Sequence, residues 1–135
     1  MKLRVLVIDD DEIFNLMADI LLRNLGITTR PQCFTSGQEA LAYLSRQGAT
    51  DTTYLLFLDI NMPTMSGWEV LECLQALPNQ QRIHVVIVTS SIDRADERRA
   101  WEFAQVIDYM IKPLQREKLL TLKKHRKLAA FFRRG

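Results

Sequence analysis

Residues of types that can do chemistry stand directly after four of the apolar runs in this sequence. They are Asp9 and Asp10 after the run 3–8, Asp59 after the run 54–58, Thr89 after the run 84–88 and Lys112 after the run 106–111. Carboxylates brought close together repel and raise one another's pKa unless a cation joins them. Mg²⁺ suits such a group because it takes carboxylate or carbonyl oxygens and keeps places for water and phosphate oxygens. If the runs are strands of one parallel sheet, the sequence predicts a magnesium site.

Asp59 is the candidate nucleophile because it stands alone at the centre of this set. An aspartate can accept phosphate as a mixed anhydride while a metal neutralises the developing charge. Lys112 adds a fixed positive charge, and the Thr89 hydroxyl can donate to a phosphoryl oxygen. The set therefore predicts a site for a phosphoryl group. The alternative is that these residues are helix caps and solvated loop ends, and Asp11 is expected to be such a cap rather than a third ligand.

Five apolar runs alternate with helical patterns, which is the order of a parallel sheet built from right-handed crossovers. We expect an α/β fold with a doubly wound, five-stranded parallel sheet and helices on both faces. The second run, 28–34, contains Pro31, which cannot donate a ladder hydrogen bond and belongs at an edge. A flavodoxin-like strand order of 2-1-3-4-5 meets this condition and brings the strand ends together beside the first strand.

Helix start and stop signals lie between the runs. Ser36 and Ser66 each precede a glutamate by three residues, which is capping-box spacing. We expect Gly26 to end the first helix and Pro78 to stop the third, while the fourth spans roughly 94–105. A last, basic helix is expected from about 114 nearly to the C-terminus. The apolar residues at helical spacing in the first helix are Ile13, Phe14, Met17, Ile20, Leu21 and Leu25.

Length and composition fit an ordinary globular protein. The 135 residues have room for one domain, so we expect residues 1–135 to form a single domain. No apolar run approaches the ~20 residues of a membrane span, and the first residues lack a signal-peptide cleavage pattern. A cytoplasmic protein without a membrane partner is therefore expected. Cys33 and Cys73 have no metal-binding or redox spacing, which argues against a zinc or redox site.

Charge is distributed unevenly along the chain. Residues 1–113 carry a net charge of −5 and residues 114–135 a net charge of +7. Clustered Lys and Arg can neutralise nucleic-acid phosphates, but an amphipathic last helix with solvated charges is the favoured interpretation, so a nucleic-acid partner is not expected. Phe131 and Phe132 suggest a surface for a homodimer or another protein partner.

Four motifs carry a resemblance to a known family: "VLVIDDDE", "FLDINMPTMSG", "VIVTSS" and "YMIKPL", in this order. Over nearly its whole length the chain resembles a receiver domain of a two-component response regulator, of the single-domain type similar to the chemotaxis regulator. The resemblance implies that Asp59 is the phosphoacceptor and that Thr89 and Lys112 contact the phosphoryl group. The implied Mg²⁺ ligands are Asp9, Asp10, Asp59 and the backbone carbonyl of Asn61.

The resemblance also implies a switch and a backbone geometry. Tyr109 matches the aromatic switch residue, which works together with Thr89, and the Lys112–Pro113 peptide is expected to be cis. The chain departs from the family pattern at Gln105-Val106, where Gly-Ala is common, and Ser91 stands at a position that varies in the family. The long basic final helix is a third departure.

The resemblance implies a stand-alone, cytoplasmic switch rather than a metabolic enzyme. Asp59 would receive phosphate from a histidine kinase or a histidine phosphotransfer protein, and the signal would leave through an unidentified protein partner. A phosphatase of the haloacid-dehalogenase type needs a second aspartate two residues after the first, where this chain has Asn61. A receiver-like binding module that works without phosphate, with its basic tail on nucleic acid, is the other alternative.

Overall fold

A five-stranded parallel sheet forms the centre of the computed structural model, which describes residues 2–48 and 51–133. The strands are β1 Lys2–Ile8, β2 Gln32–Phe34, β3 Thr52–Leu58, β4 Ile83–Thr89 and β5 Val106–Ile111. Their order is β2-β1-β3-β4-β5, and every neighbouring pair is parallel. The predicted fold class and strand order are confirmed. The strand that follows Pro31 lies at an edge because it pairs only with β1.

Helices cover both faces of the sheet. They are α1 Glu12–Asn24, α2 Gly37–Ser45, α3 Gly67–Leu74, α4 Arg94–Ala100, α5 Arg116–Leu122 and α6 Ala129–Phe132, with a single 3-10 turn at Gln80–Arg82 among the described residues. One apolar cluster joins the sheet to α2, α3 and α4, and a second joins it to α1, α5 and Leu128. Because both faces are covered, all seven residues of β3 are buried, as in a central parallel strand.

Side-chain caps fix the starts of four helices. Asp11 caps α1 by accepting hydrogen bonds from the Ile13 and Phe14 amides, as predicted. The Ser36 hydroxyl accepts from the Glu39 amide at the start of α2. Ser66 and Glu69 form a reciprocal capping box at the start of α3. Asp93 caps α4 by accepting from the Ala95 amide, so that each helix leaves the sheet edge at a defined residue.

Two predicted helix ends are wrong. The first helix does end before Gly26, which has φ +70°, but α3 ends at Leu74, ahead of Pro78, and α4 ends at Ala100 rather than near 105. Tight-turn hydrogen bonds after α4, including Phe103 N–H to Ala100 O at 3.1 Å, turn the chain so that the Phe103 ring stacks on Trp68. The packing of Phe103 therefore outweighs continuation of the helix.

The predicted single basic helix from about 114 is wrong as well, because α5 ends at Leu122 and α6 begins only at Ala129. Lys123 and Lys127 would stand one turn apart on a continuous helix, where like charges destabilise it. The break instead buries Leu128 completely and lets the Lys123 ammonium donate to Leu25 O at the end of α1, at 3.0 Å. Phe132, expected on a partner surface, packs partly buried against the cluster of α1 and α5.

The apolar residues of α1 divide between two faces. Asn15, Ala18 and Leu22 are the buried residues of this helix. Ile13, Leu16, Met17 and Ile20 are instead 71%, 62%, 60% and 49% exposed. The helical spacing of apolar residues thus marks an exposed stripe as well as the side that packs on the sheet.

Gly67, the first residue of α3, lies against the backbone of the loop that follows β3. A Cβ at this position would meet Asp59 O and would come within 2.7 Å of Ile60 Cα. We expect Gly67→Ala to lower the free energy of unfolding by about 1–3 kcal/mol, because neither contact is with a movable side chain. Urea denaturation measures this change, with Gly48→Ala as the control because nothing lies within 4 Å of its added Cβ. Equal losses in the two variants would contradict the close approach.

Candidate functional site

The predicted site residues meet at the carboxyl-terminal edge of the sheet. Asp9 and Asp59 directly follow the adjacent strands β1 and β3, and the Asp59 N–H donates to Ile8 O at 3.0 Å. Thr89 is the last residue of β4, and the N–H of Lys112, directly after β5, donates to Thr89 O at 2.8 Å. The parallel register thus brings residues that are up to 103 positions apart in the sequence to one edge, as expected for a doubly wound sheet.

Lys112 holds the two buried carboxylates by ion pairs. Its ammonium lies 2.7 Å from Asp9 Oδ2 and 3.4 Å from Asp59 Oδ2, and it sits 4.4 Å from the centre of the Phe14 ring. Burial alone would lower the pKa of Lys112, but the carboxylates of Asp9 and Asp59 outweigh burial and raise it. The lysine therefore stays charged at neutral pH, and the Lys112–Pro113 peptide that carries it is cis, as predicted.

The three acidic residues fit a divalent cation. Asp9, Asp10 and Asp59 each place a carboxylate oxygen within 4.8 Å of the others. Asp9 and Asp59 are 1% and 7% exposed, while Asp10 is exposed. Burial, followed by the charge of Asp9, raises the pKa of Asp59, and Lys112 offsets only part of this effect. One ammonium does not balance this cluster, and oxygen ligands of this kind are those that Mg²⁺ takes.

The loop after β3 orients the Asp59 carboxylate. The Asn61 N–H donates to Asp59 Oδ1 at 3.3 Å. Asn61 is exposed beside the acidic residues, and the role of its carbonyl as a metal ligand stays a prediction. The Gly67 N–H donates to Ile60 O at 2.8 Å and pulls the start of α3 close behind the loop. The Asp59 side chain is therefore held in place by backbone on one side and by Lys112 on the other.

Thr89 connects the site to α4 by hydrogen bonds. Its buried hydroxyl accepts from the Ser91 N–H at 3.2 Å, and the Ser91 hydroxyl donates to Asp96 Oδ2 in α4 at 2.7 Å. Tyr109 is half-buried on β5 and packs against the cluster of α2, α3 and α4. Within the described part of the chain its buried hydroxyl has no hydrogen-bond partner. Burial, and then the nearby acids Asp96, Glu97 and Asp93, raise the pKa of Tyr109.

The departure from the family pattern at Gln105-Val106 does not displace β5. The Val85 N–H donates to Gln105 O at 2.8 Å, and the β4–β5 register shifts between Val85 and Val86. The shift admits an extra residue in β5, because Val85 is paired with Val106 and Val86 with Asp108. From Asp108 onward the register continues to Ile111, so that Lys112 reaches the site.

Sequence reasoning missed two residues that touch the site. Phe14 lies under the Lys112 ammonium, although it was expected only to supply apolar surface. Asn15 is buried, and its side-chain amide donates to Asp9 O at 2.9 Å. The signal for Asn15 is available in the sequence, because it is the polar member of a stripe with Ala18 and Leu22 at positions i, i+3 and i+7.

The comparisons with known proteins agree with this geometry. The sequence model of the response regulator receiver domain matches residues 5–124. The chain is 31% identical over 117 residues to the probable methanogenesis regulatory protein FilR2 of Methanothrix harundinacea, covering 85% of this chain and 75% of that protein. It is 33% identical over 112 residues to the transcriptional regulatory protein PrrA of Mycobacterium tuberculosis, covering 82% of this chain but only 43% of that protein.

A solved structure is similar over nearly the whole fold. The response regulator receiver protein of Dyadobacter fermentans matches with a TM-score of 0.81 and 29% identity, covering 90% of this chain and 95% of that chain.

The chain belongs to the response regulator receiver domain family. It is a receiver domain of the two-component systems, and the predicted family is confirmed. Receiver domains are phosphoacceptors rather than metabolic enzymes, they bind Mg²⁺ in an acidic pocket, and they interact with histidine kinases or phosphotransfer proteins. No helix in the described part of the chain has the length and apolar character that a bilayer span requires.

The raised pKa of Asp59 predicts a pH-dependent cost to folding. The folded state binds the proton of the Asp59 carboxyl group more tightly than the unfolded state does. The stability that this proton contributes is therefore lost as the pH rises from 3.8 through the pKa of Asp59 in the folded protein. We expect Asp59→Asn to be more stable than the wild type at pH 7 by about 1 kcal/mol in metal-free buffer, and the difference to shrink toward pH 4. Urea denaturation at several pH values measures it.

Glu72→Gln, which removes an exposed carboxylate of α3 outside this cluster, is the matched control, and we expect only a small change in its stability. A wild type that is as stable as Asp59→Asn throughout this pH range would show that the Asp59 carboxylate carries no burial cost.

Proposed function

We propose that Asp59 accepts a phosphoryl group from the phosphohistidine of a histidine kinase or histidine phosphotransfer protein, with Mg²⁺ bound by Asp9, Asp10, Asp59 and the Asn61 carbonyl. The observation that supports this most is the grouping of three carboxylates within 4.8 Å of one another, two of which pair with Lys112. Such a group has excess negative charge until a cation and a phosphoryl group share it.

The transfer is an in-line displacement. A carboxylate oxygen of Asp59 attacks phosphorus, the phosphorus–nitrogen bond of the donor histidine breaks, and the released imidazole takes up a proton. The bound metal supplies positive charge near the transferring group. Lys112 exchanges its 3.4 Å contact with Asp59 Oδ2 for a phosphoryl oxygen and keeps its ion pair with Asp9. The lysine is therefore charged and in position before the donor arrives.

Phosphorylation then changes the surface formed by α4, β5 and α5. The Thr89 hydroxyl accepts a hydrogen bond from Ser91 N–H but keeps its own proton to donate to a phosphoryl oxygen. In our proposal Thr89 moves toward the phosphoryl group and Tyr109, whose hydroxyl has no partner in the described structure, turns into the space that is vacated. A downstream protein that binds this surface better in one state shifts the equilibrium between the two states.

The exposed stripe of α1 is the surface we assign to the phosphodonor. Ile13, Leu16, Met17 and Ile20 are 49–71% exposed. Beside them an apolar groove of about 310 Å³ runs between α1 and Pro113-Leu114. This groove adjoins Lys112, so a helix laid on it would bring its histidine to the Asp59 cleft. An apolar patch on a charged protein marks an interaction site, and the occupant that fits is a helical histidine-bearing protein.

The alternatives have less support. Asn61 stands where a haloacid-dehalogenase phosphatase needs its second aspartate. A nucleic-acid role for the basic tail is weakened because Lys123 donates to Leu25 O and lies 5.3 Å from the centre of the Phe132 ring. This lysine therefore stabilises the fold instead of facing a phosphate backbone. No contact in the described part of the chain favours a homodimer over a different protein partner.

Phosphoacceptance is tested by intact mass after incubation with acetyl phosphate or phosphoramidate and Mg²⁺. We expect one phosphoryl adduct on the wild type, none on Asp59→Asn, and a strong loss when the metal is chelated. Glu72→Gln, which removes an exposed carboxylate of α3, is the matched control and should be modified like the wild type. An undiminished adduct on Asp59→Asn would remove Asp59 as the acceptor.

The donor surface is tested with the double variant Leu16→Gln/Met17→Gln, which keeps good helix formers on α1. We expect transfer from a phosphorylated histidine phosphotransfer domain that serves the wild type to slow at least about tenfold, because central interface side chains are lost. Modification by acetyl phosphate should be unchanged. Leu120→Gln, on exposed α5 surface, is the control. Unchanged transfer to the α1 variant would place the donor on another surface.

A further inference from the structure

Asn15 is a polar residue on the side of α1 that faces the sheet. It is 4% exposed and lies on one stripe with the buried residues Ala18 and Leu22. Their neighbours are the apolar residues that join α1, α5 and the sheet. Burying a carboxamide in such surroundings is costly unless its polar atoms find partners, so the contacts of Asn15 show what the residue does there.

The Asn15 amide group contacts the backbone of two neighbouring strand ends. Its Nδ2 donates to Asp9 O at 2.9 Å and lies 3.5 Å from Phe34 O. Phe34 O also accepts the Asp9 N–H, at 3.0 Å. The backbone of Asp9 is therefore held on its N–H side by the end of β2 and on its carbonyl side by α1.

Fixing the Asp9 carbonyl fixes the peptide plane that leads into Asp10. Asp10 is exposed, and its side chain takes its direction from that peptide. The Asp9 carboxylate is held in turn, because Asp9 Oδ1 accepts the Asp11 N–H at 2.9 Å and Asp9 Oδ2 pairs with Lys112. Asn15 thus sets the backbone from which both acids of the pair project, although it does not touch either carboxylate.

Stability by itself does not explain an asparagine at this position. Its buried Oδ1 has no hydrogen-bond partner in the described structure, and an unpaired buried acceptor costs free energy that an apolar side chain of similar size would avoid. The carboxamide therefore acts only through Nδ2, which donates to the Asp9 carbonyl at 2.9 Å and, over a longer distance, to Phe34 O at 3.5 Å.

We propose that Asn15 is a positioning residue for the metal site: it orients the Asp9–Asp10 backbone so that both carboxylates converge with Asp59. The proposal rests on the proposed function, in which these acids bind Mg²⁺. Groups that orient metal ligands from behind typically change metal affinity about 10–100-fold when they are removed. Asn15 lies in α1 and would act in this way by holding the Asp9 backbone, instead of by contacting a ligand side chain.

The test is Asn15→Leu, which keeps the branching at Cγ and removes the donor. Titration of MgCl2, followed by the amide resonances of Asp10 and Asn61, should show affinity about tenfold weaker than that of the wild type. The melting temperature of Asn15→Leu should equal or exceed that of the wild type. Leu22→Ala, about two turns along the same buried stripe, is the control, and should lower the melting temperature without changing Mg²⁺ affinity. Wild-type Mg²⁺ affinity in Asn15→Leu would overturn the proposal.

A second measurement does not depend on the metal. In metal-free buffer, the amide hydrogens of Asp9 and Asp11 should exchange faster in Asn15→Leu than in the wild type, while those of β3 should not. Unchanged exchange at Asp9 and Asp11 would also overturn the proposal. If the wild type itself bound no Mg²⁺, the proposed function would fail, and the exchange experiment would still decide whether Asn15 holds this backbone.

Discussion

The structure depends on keeping two buried carboxylates side by side. Asp9 and Asp59 follow adjacent strands, both are almost fully buried, and the pKa of Asp59 is raised by burial and by Asp9. Lys112 is the permanent counter-charge, at 2.7 Å and 3.4 Å from the two acids. One positive charge is too few for three acidic residues, and this imbalance is what makes the site receptive to a divalent cation and then to a phosphoryl group.

Maintaining this unfavourable cluster requires a rigid frame. The fully buried β3 carries Asp59, and apolar layers on both faces hold the strand in place. Gly67 lets α3 approach the backbone of the following loop, and Asn15 holds the Asp9 peptide from α1. The free energy that these contacts contribute offsets the cost of the buried charges, so the acids stay poised for a cation instead of moving apart.

In the proposed function, the same arrangement separates the donor surface from the output surface. The exposed apolar stripe of α1 adjoins the cleft on one side. On the other side, the hydrogen bonds from Thr89 through Ser91 to Asp96 lead to α4, and Tyr109 lies half-buried on β5. A phosphoryl group at Asp59 would lie between the two, which gives the fold a physical route from a donor on one face to a changed surface on another.

The sequence by itself determined the class of fold and which polar strand-end residues lie at one edge of the sheet. Uninterrupted apolar runs indicate strands buried on both faces, and polar residues after such runs must share an edge once the strands are parallel. These are short-range signals, and they correctly placed Asp9, Asp10, Asp59, Thr89 and Lys112 at one edge of the sheet. The tertiary structure decided where helices end, which side of α1 is buried and what Asn15 contacts. Helix continuation competes with long-range packing, as when Leu128 and Phe103 turn into the core. Likewise, an apolar stripe on a helix looks the same in sequence whether it will meet a sheet or a partner, because burial depends on what the rest of the chain brings beside it.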